Sequence, residues 1–235
     1  MTAEEILEIL PTLGSQSYKN VIAKHGAVEP YYGVKIEELK KIQKKVKQNH
    51  GIALALYDSG ISDAMYLAAL VSEPQIFTKA QLDKWAKAAP WQMISEYAVA
   101  WAAAESRFAV ELGLEWIDSK KELIATSGWS TLACYVSITA DDDLDLPVFD
   151  KLLDRVQANI GEAPNRVKYC MISYVIAVGC GVVPLVPRAK AIAQALGKVE
   201  VDMGDTSCKI PVAADSIAKV EGMGRTGKKR KTAMC

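Results

Sequence analysis

Hydrophobic positions recur every three or four residues through most of the chain. In IEELKKIQKKV, Ile36, Leu39, Ile42 and Val46 fall on one face and the lysines on the other, the pattern of an amphipathic helix. The rhythm continues through SDAMYLAALVS, TKAQLDKWAKAA, WQMISEYAVAWAAAES, RFAVELGLEWIDS, KELIATSGWSTLACYVSIT, LPVFDKLLDRVQANIG, NRVKYCMISYVIAVG and VPRAKAIAQALG. Thr2 stands three residues before Glu5, just ahead of an apolar run, which predicts a capping box. A second helix is expected over 15–25, and GIALALYDSG is short and apolar. Pro90 and Trp91 open another run. Proline is routine at a helix start, because the first amides have no partner within the helix.

About twelve helices joined by short turns predict an all-α chain of antiparallel helix pairs stacked side by side. The pairs repeat about every 30–45 residues, the range of HEAT-type units. The units are not visibly alike in sequence, so the repeat is read from rhythm. The fold expected for residues 1–197 is a HEAT-like curved solenoid. After it the period changes. In KVEVDM, Val199, Val201 and Met203 alternate with Glu200 and Asp202; GD signals a turn; TSCKI returns with Cys208 and Ile210 inward. This predicts a small β-hairpin, followed by a short helix, over 198–222 and packed on the solenoid. Residues 223–235 are expected to be a flexible basic tail.

Composition narrows the picture. The chain has 235 residues, 50% of them hydrophobic and 24% charged, enough for one large domain or two small ones. No apolar run nears the roughly 20 residues of a membrane span, and no secretory leader is visible, so a cytoplasmic protein is expected. Cys134, Cys170, Cys180, Cys208 and Cys235 are odd in number and form no CxxC pair, which argues against a disulfide framework or a zinc site. His25 and His50 each precede a glycine, as at a helix C-terminus. Net charge is +0, but unevenly spread: six lysines in 35–47, a basic cluster in 225–231, and DDDLD at 141–145.

Motifs exclude several chemistries. There is no GxxxxGK[ST], no GxGxxG after a strand, no GxSxG elbow and no HExxH, so no nucleotide cofactor or metal is expected. Two positive features remain. Lys35, Lys40, Lys41, Lys44, Lys45 and Lys47 could follow a phosphate backbone in a sequence-independent, salt-sensitive way; a solvated outer face is the plainer alternative. Trp91, Trp129 and Tyr174 occupy successive helical units. Such residues are usually core anchors, but in a solenoid equivalent positions can line one surface and stack on bases.

YYGVKIEELKKI at 31–42 resembles the F-G-V-x-x-x-x-L-R-K-I block of the AlkD-like DNA alkylation repair family. PWQMISEY falls where that family carries its Trp-Trp-Asp motif, and GWSTLACYV and NRVKYCMISYVIAVG fall where it has further DNA-facing helices. The resemblance spans roughly residues 1–197 and implies a C-shaped stack that cradles duplex DNA and, in active members, excises cationic N-alkylpurines. A carboxylate there would favour the oxocarbenium-like sugar, and aromatic faces the cationic base. Trp91 keeps the motif's aromatic, but the acid's position, four residues on, is Ser95. Glu96 is adjacent, though one residue turns about 100° around a helix; a shifted register would be needed to bring it in. The family's DNA-facing arginine falls near Leu132, and its later tryptophan near Tyr174.

The resemblance therefore implies a monomeric binder of damaged, bent or branched DNA, reading shape and backbone, without efficient glycosylase activity. Its phosphate candidates are Lys40, Lys41, Lys44, Lys45, Lys47, Arg166, Lys168, Lys228, Lys229, Arg230 and Lys231. Trp91, Ser95, Trp129 and Tyr174 would face the DNA, with Glu96 the one weak catalytic candidate. An alkylpurine glycosylase using Glu96 and a protein-interaction scaffold are the alternatives.

Overall fold

A computed structural model describes residues 1–234. Among them are thirteen α-helices: α1 (Ala3–Leu13), α2 (Gln16–Lys24), α3 (Ile36–Val46), α4 (His50–Asp58), α5 (Ser62–Val71), α6 (Lys79–Ala88), α7 (Ala100–Ala104), α8 (Ala109–Trp116), α9 (Glu122–Ile138), α10 (Leu146–Asn159), α11 (Asn165–Gly181), α12 (Val186–Leu196) and α13 (Ala213–Gly222). A π-helical segment, Ile94–Val99, runs directly into α7.

The local chemistry of the helix starts follows the sequence closely. Thr2 and Glu5 form the predicted capping box, and Thr78 and Gln81 form another at α6. His25 caps the end of α2. His50 instead begins α4, because the Asn49 side chain accepts from the Ile52 amide and starts the helix there.

The helices form two rows. In the inner row α5, the π segment with α7, α9, α11 and α13 pack each against the next; α4, α6, α8, α10 and α12 pack outside them. Every residue of α5 is buried, as is the stretch 125–133 of α9. Such helices show no clear polar face because neighbours cover both sides. Where α8 meets α9 the backbones come close. A side chain on Gly128 would lie 2.7 Å from the Ile117 amide nitrogen, and one on Gly113 would strike Leu132. Leu132 therefore fills the α8–α9 contact.

The predicted β-hairpin is not there: no strand forms among the described residues, apart from one isolated bridge between Gly14 and Val34. The period-two alternation was real but served another purpose. Val201 is buried, and Val199, Met203 and Ile210 pack beside it against the core formed by α9 to α13, so the segment lies on helices rather than pairing with itself. Cys208 points outward and is exposed. The Asp202 backbone is paired with the first residue of α11: Asn165 Nδ2 donates to Asp202 O, and Asp202 N donates to Asn165 Oδ1, both at 2.7 Å.

The tail is also not loose. Gly227 N donates to Cys180 O and Arg230 N to Ser137 O. Lys229 Nζ donates to Val136 O at 2.8 Å and pairs with Asp141 at 2.8 Å. Ala233 N reaches Glu105 Oε1 at 2.7 Å, and Ala233 is fully buried. The tail thus crosses the C-terminal ends of α11, α9 and α7, supplying donors to carbonyls that a helix end leaves without partners.

Candidate nucleic-acid interface

The N-terminal ends of the inner row meet at one edge of the stack. Arg166, in the first turn of α11, is held from two sides. Its amide donates to Glu122 Oε1 at 2.6 Å; a carboxylate at a helix N-terminus is favoured by the helix dipole, and no side chain at Pro164 supplies that cap. Its guanidinium grips Glu96 by two hydrogen bonds, Nε to Oε1 at 2.9 Å and Nη2 to Oε2 at 2.5 Å, the fork geometry that suits arginine and carboxylate.

Glu96 reaches Arg166 from a π turn. Ser95 and Glu96 face different helices, Thr126 on α9 and Arg166 on α11, within a widened turn over 94–99, and such π turns often mark functional sites. Glu96 is 5% exposed. Burial pushes its carboxyl above the usual carboxylate range, opposed by the Arg166 guanidinium. Burial also pushes the Cys170 thiol up, and Ser130 Oγ lies 3.4 Å from its sulfur, so this thiol is an inert neighbour of the pair.

A cleft of about 570 Å³ opens beside this pair. Tyr18, Val21 and Ile22 come from α2 and His25 from its end, Tyr66 from α5, and Trp91, Met93 and Tyr97 from the start of the π-containing helix. Arg166 and Tyr169 form the α11 side, and Met203, Cys208 and Lys209 the segment after α12. No Asp or Glu is among the lining residues. The Arg166 guanidinium lies 4.4 Å from the Tyr169 ring centre, close enough for cation–π attraction. Among the described residues, no three His, Cys, Asp or Glu side chains cluster so as to hold a metal ion.

The expected DNA-facing residues divide. Trp91 does line the cleft, yet it is only 5% exposed and its indole N–H donates to Ser62 Oγ at 3.2 Å. Ser95 is fully buried, with its hydroxyl 3.0 Å from Thr126 Oγ1 on α9. Trp129 and Tyr174 are corrections. Both are wholly buried, packed edge to face at 5.4 Å between α9 and α11, and the Tyr174 hydroxyl donates to Phe149 O of α10. They face the core because α9 and α11 pack through these rings, so neither can stack on a base.

The basic residues also divide. Lys40, Lys41, Lys44 and Lys45 lie on the exposed side of α3 and Lys47 is exposed just after its end, with Lys41 paired to Glu38 at 2.6 Å; Ile36 of the same helix reaches the cleft. Lys168 is half-buried on α11. Lys228, Arg230 and Lys231 are exposed at the opposite, C-terminal edge, whereas Lys229 is committed to Val136 and Asp141. The sequence reading missed Tyr18, His25, Tyr97, Tyr169 and Lys209. Two of them had a signal: Tyr97 closes PWQMISEY, and Tyr169 lies three residues after Arg166 on one helix face.

Residues 6–177 match the family model described as DNA alkylation repair enzyme. The chain belongs to this family. Two curated relatives, uncharacterized proteins Lin0241 of Listeria innocua and Lmo0209 of Listeria monocytogenes, are each 29% identical over 225 residues, covering 93% of this chain and 97% of theirs. A solved structure described as "a new family of proteins related to the HEAT-like repeat DNA glycosylases with affinity for branched DNA structures" superposes with a TM-score of 0.91 at 32% identity, covering 100% of both chains. The two-row stack of this family member is thus a HEAT-like repeat fold. No single helix among its described residues is long and apolar enough to cross a membrane.

Proposed function

We propose that this protein binds branched or distorted DNA without efficient base excision. The observation that carries the reading is a cleft lined by aromatic rings and cationic side chains that offers no free carboxylate. Ser95, at the position where the family resemblance implies an acid, is neutral, buried and bonded to Thr126. Glu96 is the acid next to Ser95 in sequence, but Arg166 covers and neutralises it. Losing one preorganised electrostatic group costs roughly 3–4 kcal/mol of transition-state stabilisation. Binding survives that loss, because rings and phosphate contacts do not depend on it. The solved relative's affinity for branched DNA supports the same ligand class for this chain.

Phosphates would be met by the exposed lysines of α3, by Lys168 and Lys209, and by the exposed residues of the tail. Titrating junction and linear duplex DNA at two salt concentrations tests this. Affinity for the junction should exceed that for the duplex and fall steeply with salt, by a slope of about 0.9 per phosphate contact. Affinity indifferent to salt, or none for either DNA, would instead favour a protein-interaction scaffold.

A further inference from the structure

The cleft is small as well as aromatic. About 570 Å³ lies in the range that encloses a small molecule, and a duplex cannot enter it. The segment after α12 closes one side. Asp202 is tied to Asn165, Lys24 Nζ meets Asp205 at 3.0 Å, and Arg166 Nη1 lies 3.5 Å from Met203 Sδ. This segment links the end of α2 to the start of α11 and places Lys209 at the rim. Tyr97 is the most open ring, 38% exposed and braced edge-on against Trp101.

Resting on the reading that this protein binds DNA, the geometry points to a narrower ligand: the cleft takes one unpaired nucleotide at a branch point. Its base lies against Tyr97 and Tyr169, and its phosphate faces Lys209. Every base has a π-face, so stacking of this kind tolerates any sequence. A paired duplex keeps its bases inside the stack and presents none to the recess.

Fluorescence of 2-aminopurine at one unpaired position of a three-way junction, titrated with the full-length protein, reads the stacking directly. Binding should quench the probe. Tyr97→Ala should abolish the quench and raise the Kd for this junction roughly tenfold, while Tyr97→Phe retains both. The Kd for a fully paired linear duplex should rise by less than about threefold in Tyr97→Ala. Wild-type binding without quenching, or an equal loss on both DNAs, overturns the single-nucleotide site and leaves DNA binding standing. Absence of binding to any of these DNAs at low salt overturns both.

Discussion

Two extended stretches cross the inner row at opposite ends. At the N-terminal edge, 198–210 passes beside the cleft, tied by Asn165–Asp202 bonds and by a Lys24–Asp205 pair whose side chains are 58% and 87% exposed. At the C-terminal edge the tail donates backbone and lysine hydrogens to helix-end carbonyls and buries Ala233. The first stretch lays Val199, Val201, Met203 and Ile210 on the helices, but its polar ties are open to water, whereas those of the tail are more enclosed. Exposed ion pairs contribute little to stability, whereas a buried polar group left unpaired is costly. The edge with the larger cleft, about 570 Å³, is therefore fastened more lightly by its polar ties, and the edge where the tail leaves only about 230 Å³ more firmly.

The sharpest break comes beneath the lightly fastened edge. Arg166→Met leaves Glu96 buried without its counter-charge and should cost about 3–5 kcal/mol, measured by chemical denaturation. Glu96→Gln added to it should restore much of the loss. The pH dependence has a definite sign. Burial already raises the Glu96 carboxyl, and removing Arg166 removes the opposing influence. A carboxyl raised in the folded state favours folding while protonated, and that contribution is lost as pH rises through its folded-state value. The Tm gap between Arg166→Met and wild type should thus widen from about pH 5 to about pH 8.

Deleting residues 225–235 should come next, lowering stability by about 2 kcal/mol, since several hydrogen bonds are lost while ordering entropy is regained. A flexible tail would instead leave Tm unchanged. Asp205→Ala at the other edge should cost less than about 1 kcal/mol; a loss as large as the tail's would erase the contrast. Smallest of all, Lys44→Ala on α3 or Lys47→Ala at its end should leave Tm alone and lower the salt slope of DNA binding by about one each.

Much of the fold could be read from periodicity. Ile36, Leu39 and Ile42 turn inward as their spacing requires, and the Thr2–Glu5 box forms. Val199 and Val201 show where such reading stops. Alternation says that a face is covered, not what covers it, and here helices did so in place of a second strand. The two basic clusters show a second limit, because Lys229 and Lys44 look alike in sequence and differ only in whether a helix-end carbonyl lies within reach. At the candidate site, Trp129 and Tyr174 carried the right chemistry on a face that α9 and α11 turn toward each other. Glu96 was legible only as a neighbour of Ser95, because its partner Arg166 lies 70 residues away in sequence and no local pattern announces the pair.

The most direct test is base release from DNA carrying an N3- or N7-alkylpurine, measured at protein concentrations that saturate binding. The neutralised Glu96 and buried Ser95 predict bound DNA with no release above the rate without protein. Robust release that disappears in Glu96→Gln would contradict the account and make Glu96 a working catalytic carboxylate.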